Sequence, residues 1–253
     1  MKVWIVGAGP GDPELITLKG RRLLGEADLV VYAGSLVNPA LLEFARPGVP
    51  VFDSASVTLE EVLSLYDERK ALAGSIVRLH TGDPSIYGAI QEQIDHCEAA
   101  GIPVEVVPGV SSVFAAAASL KRELTLPGVS QSLIIARAAG RTPVPEAESL
   151  ASFAAHGSTM ALFLSGGRLA EAARELLSAY PPDTPTRIVR RASWPDETKA
   201  ACRLDELAEG GGIVAEGQEG QVMVLVGPAL GPESYERSRL YDPSFAHGRR
   251  GAR

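Results

Sequence analysis

Three short stretches gather glycine, proline, carboxylate and hydroxyl side chains where the sequence stops being apolar. They are Val6-Gly7-Ala8-Gly9-Pro10-Gly11-Asp12-Pro13, Gly82-Asp83-Pro84-Ser85-Ile86-Tyr87-Gly88 and Pro108-Gly109-Val110-Ser111-Ser112. Each follows a β-rich run: Val3–Val6, Ser75–Leu79 and Pro103–Val107. Glycine at position 82 permits a sharp turn because it has no Cβ. Asp83 reads as an N-cap and Pro84 as the first helical residue, where a missing N–H costs nothing. Ile86, Ile90 and Ile94 would then share one helix face, with Gly101 closing the helix. The first stretch superficially matches a dinucleotide loop, but that fingerprint wants a third Gly or Ala where Asp12 stands. Pro10 and Pro13 also lack the N–H groups that hold pyrophosphate, and Asp12 repels it. A rigid, glycine-bent, acidic loop suits the lining of a cleft better than the cradling of an anion.

The sequence offers no triad, metal-like cluster or Cys–His pair. His96 and Cys97 are adjacent, so they do not share a helical face, and no metal site is expected. His80 and His96 read as packing or surface residues. Asp83 either caps a helix or binds polar groups of a ligand. Tyr87 either packs in the core or meets that ligand, and Ser111 and Ser112 either cap a helix or do the same. Asp12 either stabilises its turn, orients a substrate or accepts a proton.

The elements that carry these turns alternate strand and helix. Strands are expected at Val3–Val6, Leu29–Tyr32, Val49–Asp53, Ser75–Leu79 and Pro103–Val107. Helices are expected from Pro13 to about Glu26, from the capping-box run Thr58-Leu59-Glu60-Glu61 to about Ala73, from Pro84 onward, and after Ser111. This pattern predicts an α/β fold whose first domain, residues 1–120, is a parallel sheet with helices on both faces. Lys121 to Gly128 reads as the hinge. A second α/β domain with a mixed sheet follows over 121–230, and residues 231–253 form a polar, Arg-rich tail. Its helices are expected near Glu146–Ala155 and Leu169–Tyr180, and its last strand at Gln221–Val226. Gly210-Gly211-Gly212 marks a flexible loop.

The chain has 253 residues, enough for one large or two modest cores, and 45 % of them are hydrophobic. Its net charge of −7 disfavours nucleic acid as a partner. Two distant cysteines, Cys97 and Cys202, suit a reducing compartment. No charged leader, cleavage site or long apolar run is visible, so no membrane partner is expected and the cytoplasm is the expected location.

In this order, each after a strand, the three stretches resemble the class III S-adenosylmethionine-dependent methyltransferases, which act mainly on corrinoid and sirohaem precursors. Further segments look like the branch that methylates C11 of precorrin-4 in cobalamin biosynthesis. They are Tyr32-Ala33-Gly34-Ser35-Leu36-Val37-Asn38-Pro39, Glu123-Leu124-Thr125, Ala138 to Pro145, Ser193-Trp194-Pro195-Asp196-Glu197 and Ser238 to Asp242. The resemblance implies two α/β domains with the methyl donor, S-adenosylmethionine, in the cleft between them, and a homodimer. Donor contacts carried over fall at Pro10, Gly82, Asp83, Ile86, Tyr87, Ser111 and Ser112, and more loosely at Leu164, Ala192, Val222 and Met223. Ser35, Asn38, Arg137 and Arg141 are expected to meet a carboxylate-rich tetrapyrrole, the arginines in bidentate fashion. The branch often has Thr-Arg where this chain has Ala136-Arg137. Competing readings are another tetrapyrrole position, such as uroporphyrinogen III, a diphthine-methylating relative, a nucleotide-dependent oxidoreductase, and a non-catalytic ligand-binding module.

Overall fold

A computed structural model describes residues 1–140, 142–164, 168–210, 220–231, 235–242, 244–246 and 248. The chain forms two compact units. One is Met1–Ser119 together with Arg191–Glu197; the other is Leu120–Arg190 with Thr198–Arg253.

The first unit is built on β1 (Lys2–Gly7), β2 (Leu29–Tyr32), β3 (Val51–Asp53), β4 (Ser75–His80) and β5 (Val104–Val107). They form one parallel sheet in the order β3-β2-β4-β1-β5. Parallel neighbours need crossovers, and the crossover helices bury both faces. On one face α1 (Leu18–Glu26) packs with Val6, Val30, Val77 and Leu79. On the other, α2 (Leu59–Arg69) and α3 (Gln91–Ala99) cover Val3, Ile5, Val31 and Ile76. Alternate residues of β1 thus feed two separate cores, as the period of a strand requires. The sheet order sets β1 between β4 and β5. Chain order reverses there, and the carboxyl ends of those strands are where open α/β sheets take ligands.

Three helices differ from their predicted course; the one expected near Glu146–Ala155 is a 3₁₀ turn, Glu146–Glu148, and then a short helix, Leu150–Ala154, which Ser149 Oγ starts by accepting from Ser152 N at 3.2 Å. The segment from Pro13 is a 3₁₀ turn, Pro13–Leu15, followed by α1, because Thr17 Oγ accepts the Gly20 N–H at 3.0 Å and starts the helix anew. The expected helix from Pro84 begins only at Gln91. Tyr87 and Ala89 have φ of 54° and 46°, which a right-handed helix cannot accommodate. Ile90 and Ile94 still pack on the core. The capping box at Thr58 forms as expected: Thr58 Oγ accepts from Glu61 N, and the Glu61 carboxylate accepts from Thr58 N at 2.7 Å. Thr58→Ala is expected to cost about 1 kcal/mol and lower the unfolding midpoint by ~2–4 °C, measured by circular dichroism.

The second unit holds β6 (Leu133–Arg137), β7 (Thr159–Leu164), β8 (Pro185–Arg190), β9 (Thr198–Arg203) and β10 (Val222–Val226). Their order is β6-β7-β10-β8-β9; β6 and β7 are parallel and the other neighbours antiparallel, so the sheet is mixed. Helices α5 (Leu150–Ala154), α6 (Leu169–Leu176) and α7 (Leu204–Ala208) contribute Leu150, Leu169, Leu176 and Leu204 to a core with Met160, Leu162, Ile188 and Val224. Sequence periodicity missed α7, which has only five residues. Gly211 and Gly212 lie outside the described residues. Among the described residues no helix is long and apolar enough to cross a membrane.

Candidate active site

The three glycine turns meet at the carboxyl edge of β4, β1 and β5. Gly9 and Gly82, with φ of 77° and 60°, exchange backbone hydrogen bonds of 3.3 and 2.9 Å. Both conformations favour glycine. Gly7 and Gly109 are needed for a different reason. A Cβ at Gly7 would lie 2.5 Å from Gly109 Cα, 2.6 Å from Gly109 N and 2.8 Å from the Gly82 carbonyl oxygen. Three backbones therefore touch directly, and Gly82 also faces the start of α4 (Ser112–Ser119) across Ser111 and Ser112.

Asp83 fastens this junction. Its Oδ2 accepts from Gly109 N and its Oδ1 from Ser85 N, each at 2.9 Å. Both oxygens thus hold backbone, and the helix that Asp83 was expected to cap is absent at that point. Burial acts to raise the carboxyl pKa, but the Gly109 and Ser85 bonds outweigh it and leave it below its usual 3.8. Ser111 is buried. Its carbonyl accepts from Phe114 N and Ala115 N, and its Oγ from Val113 N at 3.3 Å, so it opens α4. Ile86 is half-buried and Tyr87 half-exposed in the turn after Asp83.

The charge carried by the three turns themselves is one-sided. The three turns contain Asp12 and Asp83 and no Lys, Arg or His. His80, just before the second turn, has its pKa lowered by burial and then by the neighbouring Arg78, so its imidazole is neutral at pH 7. A cation is favoured here and a phosphate is not.

Segment Arg191–Glu197 reaches this edge from between β8 and β9. The Trp194 indole N–H donates to the Pro10 carbonyl at 2.9 Å, and Asp12 N donates to Ser193 Oγ at 3.0 Å. A Cβ on Gly11 would fall 2.7 Å from Trp194 Cγ and closer still to the indole nitrogen, so the ring covers that glycine. Glu197 accepts from Ser193 N at 2.7 Å and from Ser119 Oγ. Arg191 and Ser193 hold left-handed φ of 49° and 67°, at about 1–3 kcal/mol each. From across the turn, Asn38 Nδ2 donates to the Gly11 carbonyl at 2.7 Å while its Oδ1 accepts from Ala40 N. Ser35 is exposed in the same Ala33–Pro39 loop, and Ala192 is buried beside Ser193.

The other expected residues belong to the second unit. Leu164 pairs with Val222, and Met223 with Phe163, on adjacent strands β7 and β10; Val222 and Met223 are buried. Arg137 closes β6 and donates to the Thr142 and Pro143 carbonyls at 3.2 and 2.7 Å, bracing its own loop. Arg141 lies outside the described residues. Sequence reasoning missed Gly7 and Gly109 as a packing pair, and Ser193, Trp194 and Glu197 as site residues. The Ser-Trp-Pro-Asp-Glu run was visible, but its partner 184 positions earlier was not.

The chain belongs to the tetrapyrrole (corrin/porphyrin) methylases, whose family pattern it matches over residues 2–208. Among its relatives is the cobalt-precorrin-4 C(11)-methyltransferase of Methanocaldococcus jannaschii, 50 % identical over 247 residues, covering 97 % of this chain and 95 % of the relative. The X-ray structure of a cobalt precorrin-4 methyltransferase superimposes with a TM-score of 0.85 at 44 % identity, covering 91 % of this chain and 96 % of that one. Uroporphyrin-III C-methyltransferase from Thermus thermophilus, solved with S-adenosylhomocysteine, gives 0.77 at 35 % identity and covers 91 % of this chain and 99 % of the other.

Proposed function

We propose that this protein transfers a methyl group from S-adenosylmethionine to C11 of precorrin-4, or of its cobalt form, in cobalamin biosynthesis. The observation that carries the donor assignment is the meeting of three glycine turns, which contain two aspartates and no Lys, Arg or His of their own, at the carboxyl edge of a parallel sheet; Arg191 beside them is paired with Asp196. Such an edge accepts a sulfonium ion and brings main chain close to it. The relatives' named reaction supports the acceptor assignment.

When bound, the donor supplies an electrophilic methyl. The residues of this chain hold and align. Gly82, Ser111 and Ser112 would line its pocket with Pro10, Ile86 and Tyr87, and Asp83 keeps the Gly82 and Gly109 turns together. Leu164, Ala192, Val222 and Met223 complete the proposed donor set. Ser35, Asn38, Arg137 and Arg141 are proposed for the acceptor, with the arginines meeting its carboxylates. An electron-rich pyrrole carbon is itself the nucleophile, so the protein's task is to keep it ~3–3.5 Å from the methyl and in line. The reading includes a cytoplasmic homodimer, and sedimentation tests its oligomeric part.

The test uses purified protein and ¹³C-methyl-labelled donor with precorrin-4, cobalt-precorrin-4 or uroporphyrinogen III in separate reactions. A new ¹³C methyl resonance at C11 in either of the first two supports the assignment. Transfer only to uroporphyrinogen III, or none at all, overturns it.

A further inference from the structure

We propose that Trp194 is a positioning residue for the methyl donor, acting through the Gly9–Asp12 turn. The inference rests on the donor reading above. That turn has two glycines with Pro10 between them, and its local support lies at Asp12, which accepts from Glu14 N and Leu15 N. Three more of its backbone groups are held by side chains distant in sequence: the Pro10 carbonyl by Trp194 Nε1, the Gly11 carbonyl by Asn38 Nδ2 and the Asp12 N–H by Ser193 Oγ. Two of the three come from one segment, Arg191–Glu197.

That segment is braced against movement. The Arg191 guanidinium sits 3.8 Å from the centroid of the Trp194 ring and pairs with Asp196 at 2.7 Å, while the Glu197 carboxylate ties Ser193 N to Ser119 at the end of α4. The indole covers Gly11 on one side, and the Gly9–Gly82 bridge fixes the turn on the other. The Pro10 carbonyl accepts from the indole N–H, which sets the orientation of that peptide in the turn. Withdrawing the indole N–H leaves a part-buried carbonyl without its partner and lets the turn relax away from Gly82.

Trp194→Phe keeps an aromatic side chain but removes the N–H together with the five-membered part of the indole that lies over Gly11. It is expected to weaken S-adenosylhomocysteine binding, and raise the donor KM, by at least about tenfold, the size of one lost hydrogen bond. The kcat at saturating donor and the acceptor KM should stay within about twofold, because groups touching the reacting atoms are unchanged. A purely structural role would lower thermal stability without this split. A second arm keeps Trp194 native. Trp4 is the other tryptophan and lies on β1 under Lys2. In Trp4→Phe, Trp194 is the sole indole, and its emission should shift during an S-adenosylhomocysteine titration with the calorimetric midpoint.

If wild type fails to bind S-adenosylhomocysteine, the donor reading falls and this inference with it. If wild type binds and folded Trp194→Phe binds equally well, this inference alone is overturned. Silent Trp194 emission during calorimetrically proven binding overturns it as well.

Discussion

Gly7→Ala should fold poorly and bind donor about five- to a hundredfold more weakly than wild type, the equivalent of about 1–3 kcal/mol of overpacking at the junction. The added methyl would sit 2.5, 2.6 and 2.8 Å from Gly109 Cα, Gly109 N and the Gly82 carbonyl oxygen. All three are backbone atoms of two other strand ends, so no rotamer change relieves the overlap. Either β5 moves from β1, which opens the sheet, or the Gly82 turn shifts, which displaces the proposed donor contacts. Overpacking of this kind costs about 1–3 kcal/mol, with the upper end expected where only backbone can yield. Gly220→Ala is the control, since its Cβ would meet nothing within 4 Å. Urea unfolding and calorimetric titration of both variants with S-adenosylhomocysteine test this. Wild-type affinity in Gly7→Ala would show that the turns need not touch for the donor to bind.

Asp83→Asn should weaken donor binding by about ten- to a hundredfold and destabilise by about 1–3 kcal/mol, the range for a backbone donor left facing no acceptor. The amide has the carboxylate's shape, but one of its two ends is a donor. Whichever way it is turned, that end faces Gly109 N–H or Ser85 N–H. The effect has a pH signature. The Asp83 pKa is lowered in the folded protein from its ordinary 3.8. Its contribution to stability is therefore fully present above pH 3.8 and disappears as pH falls through the lower folded value. The stability gap between wild type and Asp83→Asn should be constant from neutral pH down to that point and close below it, as urea midpoints across the acid range would record. A gap that persists unchanged at the lowest pH would assign the effect to something other than this carboxylate.

Strand positions were legible because buried parallel strands are short β-rich runs stopped by glycine or proline. Leu29–Tyr32 coincides with its expected span, and the three motif turns fall at strand ends as read. The helix after Asp83 was misplaced because Pro84 following an N-cap residue looks like a helix start in one dimension. The left-handed backbone falls on Tyr87 and Ala89, whose side chains disfavour it, and not on Gly88 between them, so the residue types do not announce it. The alternation of glycines at 7, 9 and 11 was read for turn chemistry, whereas Gly7 serves the close approach of another strand, a fact that belongs to the sheet order. Trp194 was invisible for a related reason: nothing local in Ser-Trp-Pro-Asp-Glu shows which distant carbonyl its N–H will find.

The late arrival of Arg191–Glu197 in the first unit bears on how the protein is made. Ribosomes deliver residues in order, at about 5–20 per second, so roughly 4–16 s separate Ser119 from Glu197. During that interval the nascent sheet has its strands but lacks the tryptophan that shapes its first turn. A chain with only Met1–Ser119 outside the ribosome would therefore lack the Trp194 and Ser193 bonds to its first turn, together with Leu164, Val222 and Met223 of the proposed donor set.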